Sequence, residues 1–321
     1  MLINLKNYLE SSTCICVNSG TAALHLALSM FDIKNKEVIL PSLSFVSTAH
    51  AVLYNGGIPK FVDIDPKTLC IDPEKIKDSI SGKTSLILPV HFAGMSCDLE
   101  SLSKICKYNS LFLVEDAAHA IGSTYKNKKI GSHGDAVCFS FHPSKNLPTP
   151  TGGAITINNP KKIQNNLKSL RWCGISNRIA TDYSVNEIGW NYYMNEFSAS
   201  IGISQLKKLN KNIPIRKKIA KQFFNELNVD RKMPFDQNCS YHFYWILVKN
   251  RKNFIKNMSD SGVEVGVHYK PIHKFNLYKS KNILSETELI QNKIVSIPCH
   301  QSLNQNDVNK IIKLVNKFSS Y

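Results

Sequence analysis

Three short stretches of the chain carry residues that could do chemistry together. The first is Phe139-Ser140-Phe141-His142-Pro143-Ser144-Lys145-Asn146-Leu147, an apolar run opening into Ser, Pro and a lysine, with Gly152-Gly153 shortly after. A lysine amine drawn out of water has a lowered proton affinity and can attack an aldehyde to form an imine. The second is Leu111-Phe112-Leu113-Val114-Glu115-Asp116-Ala117-Ala118-His119-Ala120, an apolar strand running into two acids, small residues and a histidine. An Asp at the carboxyl end of a strand can face a cofactor's ring nitrogen and keep it protonated, which makes the ring an electron sink. The third is Val17-Asn18-Ser19-Gly20-Thr21-Ala22-Ala23-Leu24, a strand passing through Ser-Gly-Thr into a helix. Backbone N–H groups and a hydroxyl converge there, as an anion site requires. Taken singly, each stretch has a plain alternative: a surface lysine, a helix cap, a helix start without a ligand.

The elements around these stretches alternate. Residues 20–31 read as a helix with Leu24, Leu28 and Phe31 on one face. Strand-like runs at 38–41, 59–64, 85–90, 111–115, 137–141 and 154–157 are interleaved with helix-like segments at 45–54, 72–79 and 99–108. Such alternation predicts an α/β fold with a mostly parallel sheet, helices on both faces and ligands at the strands' carboxyl ends. Beyond residue 210 the texture changes to a Lys-rich helix (215–227), a strand (242–248) and helices at 253–261 and 305–318. The division expected is therefore a large domain over 1–210 and a smaller α+β domain over 211–321.

Composition narrows the function classes. No run of about 18 apolar residues and no leader pattern is present, so a cytoplasmic, non-membrane protein is expected. Nine cysteines lie scattered without CxxC or zinc spacing, which predicts reduced thiols and no metal site. The formal net charge of +16 is spread over short patches such as 126–129 and 216–221, without interleaved aromatics. That distribution predicts a solvated basic surface suited to an anionic small molecule, and no nucleic-acid partner.

The order of the three stretches is their specific feature. An anion-binding turn, a strand-end Asp about 95 residues later and a Ser-x-x-x-x-Lys about 25 beyond it follow the order of fold-type-I pyridoxal enzymes. The sequence resembles the DegT-type nucleotide-sugar aminotransferases over nearly its whole length. The resemblance is carried by 18–24, 41–48 (PSLSFVST), 61–65 (FVDID), 89–94 (PVHFAG), 114–122 (VEDAAHAIG), 131–146, 152–157, 187–205 and 266–273. It implies the PLP-dependent transferase fold, with pyridoxal 5'-phosphate held as a Schiff base on Lys145. Asp116 would pair with the pyridinium nitrogen, and His119 would sit beside the ring. Thr21, Ala22 and Ser140 would hold the phosphate, Phe45 would stack on the ring, and Asn191 would reach the cofactor phosphate of a second subunit. A homodimer with shared active sites follows from that last role. The activity implied is amino transfer from a donor, glutamate by resemblance, to a nucleotide-linked keto sugar, in polysaccharide or amino-sugar biosynthesis. A PLP-dependent sugar dehydratase and a non-catalytic, regulatory relative are the alternatives.

Three positions depart from the family pattern. Only 17 residues precede Asn18, where relatives have a longer arm. Pro150-Thr151 replaces a Gly-Glu pair, and with Pro148 it stiffens the loop after Lys145. Tyr193 stands where relatives have an Arg, so Arg171 or Arg178 is the expected substitute cation. His91, His142, His268 and His273 are further candidates near the site, whereas Trp172, Trp245, Asp63 and Asp65 read as structural.

Overall fold

The computed structural model describes residues 1–158, 167–279 and 283–319. Its centre is a seven-stranded sheet built from β1 (Thr13–Val17), β2 (Glu37–Pro41), β3 (Ile58–Val62), β4 (Thr84–Ile87), β5 (Phe112–Asp116), β6 (Ala136–Ser140) and β7 (Gly153–Ile157). The spatial order is β1-β7-β6-β5-β4-β2-β3. Strands β6, β5, β4, β2 and β3 run parallel, while β7 runs antiparallel to both of its neighbours. The expected parallel sheet is thus present, with an antiparallel pair added at one edge.

Both faces of the sheet are buried, so its strands read as continuous apolar runs instead of alternating ones. The two-residue period still sorts the side chains. Val38, Leu40, Val114 and Ile155 belong to one cluster, with α2 (Gly20–Leu28) and α3 (Ser47–Tyr54) packed over it. Ile39, Leu113, Val137 and Ala154 point the other way, into a cluster that includes α4 (Leu99–Tyr108). Burying each of these Val, Leu and Ile side chains contributes about 1.5–3 kcal/mol.

A helix of 31 residues, α5 (Glu196–Glu226), leads out of this sheet. Asn195 caps it by accepting the Ser198 N–H at 2.8 Å. Its buried stripe runs Gly202, Leu206, Leu209, Ile213, Arg216, Ala220 and Phe223, a repeat that keeps one face inward throughout. The Lys-rich segment expected to begin at 215 is the second half of this helix, and position 210 falls inside it. Pro214 does not end it. Nor is Arg216 part of a solvated patch: it is buried, and its Nη1 donates to the carbonyls of Tyr241, His242 and Cys299.

The remaining chain forms a three-stranded antiparallel sheet of β10 (Arg231–Lys232), β11 (Tyr244–Leu247) and β12 (Ile294–Ile297), flanked by α6 (Arg251–Asp260) and α8 (Gln305–Phe318). An exposed hairpin, β8 (Ile175–Ile179) and β9 (Asp182–Val185), and an N-terminal helix α1 (Leu2–Leu9) escaped the sequence reading. Among the described residues no helix is long and apolar enough to cross a membrane.

Asp63, just past β3, fastens the C-terminal part to the large sheet. Its carboxylate accepts the N–H groups of Ile64, Glu286 and Thr287 and the hydroxyls of Ser285 and Thr287, capping the short helix α7 (Ser285–Ile290). Burial pushes this carboxyl up, but the hydrogen bonds outweigh it and hold it below the usual Asp range. Asp63→Ala should therefore lower stability by about 2–3 kcal/mol at neutral pH. Because the folded-state pKa is depressed, the contribution is complete above the unfolded Asp value of about 3.9 and is lost as pH falls through the folded value. Urea unfolding of both proteins at neutral and acid pH checks this; the gap between them should close on the acid side.

Candidate active site

The carboxyl ends of β1, β5 and β6 open onto one cavity of about 420 Å³. At one side, β1 turns through Ser19 into α2. Ser19 is extended and its Oγ accepts the Ala22 N–H at 3.0 Å, an N-cap worth about 1 kcal/mol. The turn can seat itself only because two glycines let backbones approach. A Cβ on Gly20 would lie 2.7 Å from Ser140 Cβ, and one on Gly153 would lie 2.4 Å from the Ser19 carbonyl oxygen. Thr21 and Ser140 consequently face the same space, with the positive end of the α2 dipole between them.

Lys145 sits in a loop that closes on itself after β6. Phe141 N–H donates to the Gly152 carbonyl, and Thr149 returns two hydrogen bonds to the Phe141 carbonyl, one from N–H and one from Oγ1. Asn146 ties the loop to the Ser240 carbonyl at 3.1 Å. The amine is thereby held in the cavity, where burial lowers its pKa to about 8 against the opposing pull of Asp116.

Asp116 ends β5 and is buried. Its Oδ1 accepts the Ala118 N–H at 3.1 Å and its Oδ2 the Thr48 hydroxyl at 2.8 Å. Burial raises its pKa; the two hydrogen bonds and the charge of Lys145 oppose that rise. His119 lies beside it, with Nε2 3.0 Å from the Tyr269 hydroxyl and its ring 4.7 Å from that of His242. Burial, reinforced by the Lys145 charge, keeps this imidazole neutral well below its ordinary range. Its Nδ1 is buried and has no hydrogen-bond partner among the described residues. Phe45 forms a half-exposed wall, its ring 6.0 Å from Tyr269.

Six of the expected residues therefore line one cavity: Thr21, Phe45, Asp116, His119, Ser140 and Lys145. Ala22 does not; its N–H is taken by Ser19, and it borders an adjoining notch. Asn191 is exposed outside the cavity, and its carbonyl accepts the Asn18 side-chain amide at 3.2 Å. His142 stands at the rim with Nδ1 2.9 Å from Ser144 Oγ. His268 and His273 lie off the cavity, bonded to Ser296 and Ser42, whereas Tyr269 between them lines it. Buried His91 donates from Nε2 to Glu115, since its Nδ1 accepts the Cys97 N–H. Arg171 donates to the Cys16 carbonyl and Arg178 packs over Trp172; neither reaches the cavity. Thr48, Ser44 and Tyr269 went unremarked in the sequence. Only the four-residue spacing of Ser44 and Thr48 inside PSLSFVST hinted at a shared face.

Comparison with known proteins shows what the chain is similar to. A sequence model of the DegT/DnrJ/EryC1/StrS aminotransferase family matches residues 3–316. The UDP-4-amino-4,6-dideoxy-N-acetyl-beta-L-altrosamine transaminase of Campylobacter jejuni (strain 81-176) is 34% identical, over 96% of this chain and 86% of that one. The structure of Helicobacter pylori PseC, an aminotransferase involved in the biosynthesis of pseudoaminic acid, superposes with a TM-score of 0.93 at 31% identity, covering 100% of this chain and 90% of that one. The PLP-form of Spr1654 from Streptococcus pneumoniae gives 0.92 at 25% identity, over 99% and 90%.

The electrostatics of the lysine can be read directly. Reductive alkylation of Lys145, followed by peptide mass spectrometry, should show a reactivity midpoint near the value of about 8 that burial sets. Asp116→Asn removes the charge that supports the ammonium, so the midpoint should move lower; an upward shift would contradict the pairing.

Proposed function

The chain belongs to the DegT/DnrJ/EryC1/StrS aminotransferase family, and from that premise we propose that it is a pyridoxal-phosphate enzyme moving an amino group from glutamate to a nucleotide-linked keto sugar. The observation that carries the reading is the desolvated Lys145 amine facing buried Asp116 in a cavity closed at one side by the α2 anion turn. The cavity fits that cofactor: an amine for its aldehyde, a carboxylate for its ring nitrogen, and a helix N-terminus for its phosphate. When bound, pyridoxal phosphate supplies the electron sink and carries the amino group between donor and acceptor.

The chain's own residues supply the rest. With a pKa of about 8, roughly a tenth of Lys145 is free amine at neutral pH. Its Nζ is suited to take a proton from the substrate's amine-bearing carbon and to return it. Asp116 would keep a proton on the ring nitrogen, Thr21 and Ser140 would hold the phosphate, and Phe45 and neutral His119 would lie against the ring. We take residues 1–210 as the cofactor-binding domain and 211–321 as the smaller domain, with α5 spanning the join. The apolar side chains of Ile188 and Phe197, 89% and 84% exposed, lie on either side of Asn191 in the sequence. They support a homodimer in which Asn191 reaches the partner's phosphate site. The free thiols fit a cytoplasmic setting for this polysaccharide or amino-sugar chemistry.

Purified protein should show an absorbance band in the visible to near-ultraviolet that shifts on adding glutamate, and borohydride should fix the cofactor to Lys145. Absence of both would overturn the cofactor assignment. A band indifferent to every amino donor would favour a sugar dehydratase instead. Mixing Lys145→Ala with Asn191→Ala subunits should restore part of the activity if sites are shared; two inactive variants that stay inactive together would count against sharing.

A further inference from the structure

The proton ledger around Asp116 singles out a residue not yet given a role. Among the described residues, the carboxylate's hydrogen-bond donors are the Ala118 N–H and the Thr48 hydroxyl. Thr48 Oγ1 also lies 2.7 Å from Ser44 Oγ. A threonine hydroxyl owns one proton. Spending it on Asp116 makes the Thr48 oxygen the acceptor, so Ser44 must be the donor to it. All three side chains are buried, and Ser44 borders the cavity. The result is a directional chain from Ser44 through Thr48 to Asp116. Its last link is stronger while Asp116 is a carboxylate, because a charged acceptor roughly doubles a hydrogen bond's strength, whereas a neutral carboxyl accepts more weakly.

We propose that Thr48, oriented by Ser44, is a positioning residue that keeps Asp116 ionised and aimed at the cavity, so that a bound pyridine nitrogen retains its proton. This rests on the pyridoxal-phosphate reading of the site. The other titratable groups around Asp116 are Lys145 from the loop after β6, His91 from the loop after β4, His119 three residues on, Tyr269 from the C-terminal segment and Cys138 on β6. None of them donates a hydrogen bond to its carboxylate. His91 is committed to Glu115 and Cys97, and Tyr269 to His119. Thr48 is thus the side chain whose loss the others cannot make good.

Full-length Thr48→Val, Thr48→Ser and unmodified protein are titrated with pyridoxal phosphate from acid to alkaline pH, following the visible band. A hydrogen bond to a charged acceptor corresponds to about one pH unit or more. The acid limb of cofactor affinity should therefore move up by about one unit in Thr48→Val, a roughly tenfold weaker Kd on that limb. Thr48→Ser should follow the unmodified protein, and Ser44→Ala should shift in the same direction but less. Thr48→Val tracking the unmodified protein, or Thr48→Ser shifting equally, would refute the relay while leaving the cofactor reading intact. If the unmodified protein forms no band, the cofactor reading fails. The carbon-13 carboxyl titration of Asp116 in the same chains, before any cofactor is added, then decides the relay alone: its midpoint must rise in Thr48→Val and not in Thr48→Ser. Should Thr48→Val fail to fold, Ser44→Ala carries the same two measurements.

Discussion

A buried amine and a buried carboxylate share one cavity, and burial pushes each toward its neutral form from opposite directions: Lys145 down, Asp116 up. Each charge supports the other. Asp116 is held further by the Thr48 hydroxyl and the Ala118 N–H, since a buried charge without partners costs several kcal/mol. Much of the surrounding architecture can be understood as fixing the positions of these two groups. The self-closed loop of 141–152 presents the lysine, and Thr48 with the Ala118 N–H clamps the aspartate.

The sheet brings these pieces together through its topology. Parallel strands deliver their carboxyl ends to one edge, so Asp116 at the end of β5 and the loop after β6 become neighbours. The antiparallel strand β7 then carries the chain back and lets β1 pair at its outer side, which sets the Ser19–Thr21 turn against Ser140. Gly20 and Gly153 are needed at that junction because the backbones approach more closely than any Cβ permits.

The C-terminal part is fastened from two directions. Asp63 caps α7, and Arg216 spends its guanidinium on carbonyls of three residues far along the chain. Tyr269 enters the cavity between two histidines that stay outside it, and its hydroxyl meets His119. The segment that carries Tyr269 thus lines the cavity and touches His119, so the two parts of the chain contribute to one chemical environment.

Sequence alone determined the parts of this protein that depend on local pattern. Apolar runs ending in polar residues revealed the strands and the site at their carboxyl ends. Helices 99–108 and 305–318 were legible to the residue, because an Asp or Asn cap precedes a periodic apolar face in each. Lys145, Asp116 and the Ser-Gly-Thr turn were read from their order along the chain, because each stretch taken singly has a plain alternative. Tertiary structure decided what depends on contacts between distant segments. The antiparallel edge, the length of α5 past Pro214, the burial of Arg216 and the choice of Tyr269 over His268 and His273 all rest on packing partners tens to hundreds of residues away. Thr48 shows the division most plainly: its hydroxyl looks like any helix-start threonine until the fold sets it 2.8 Å from Asp116.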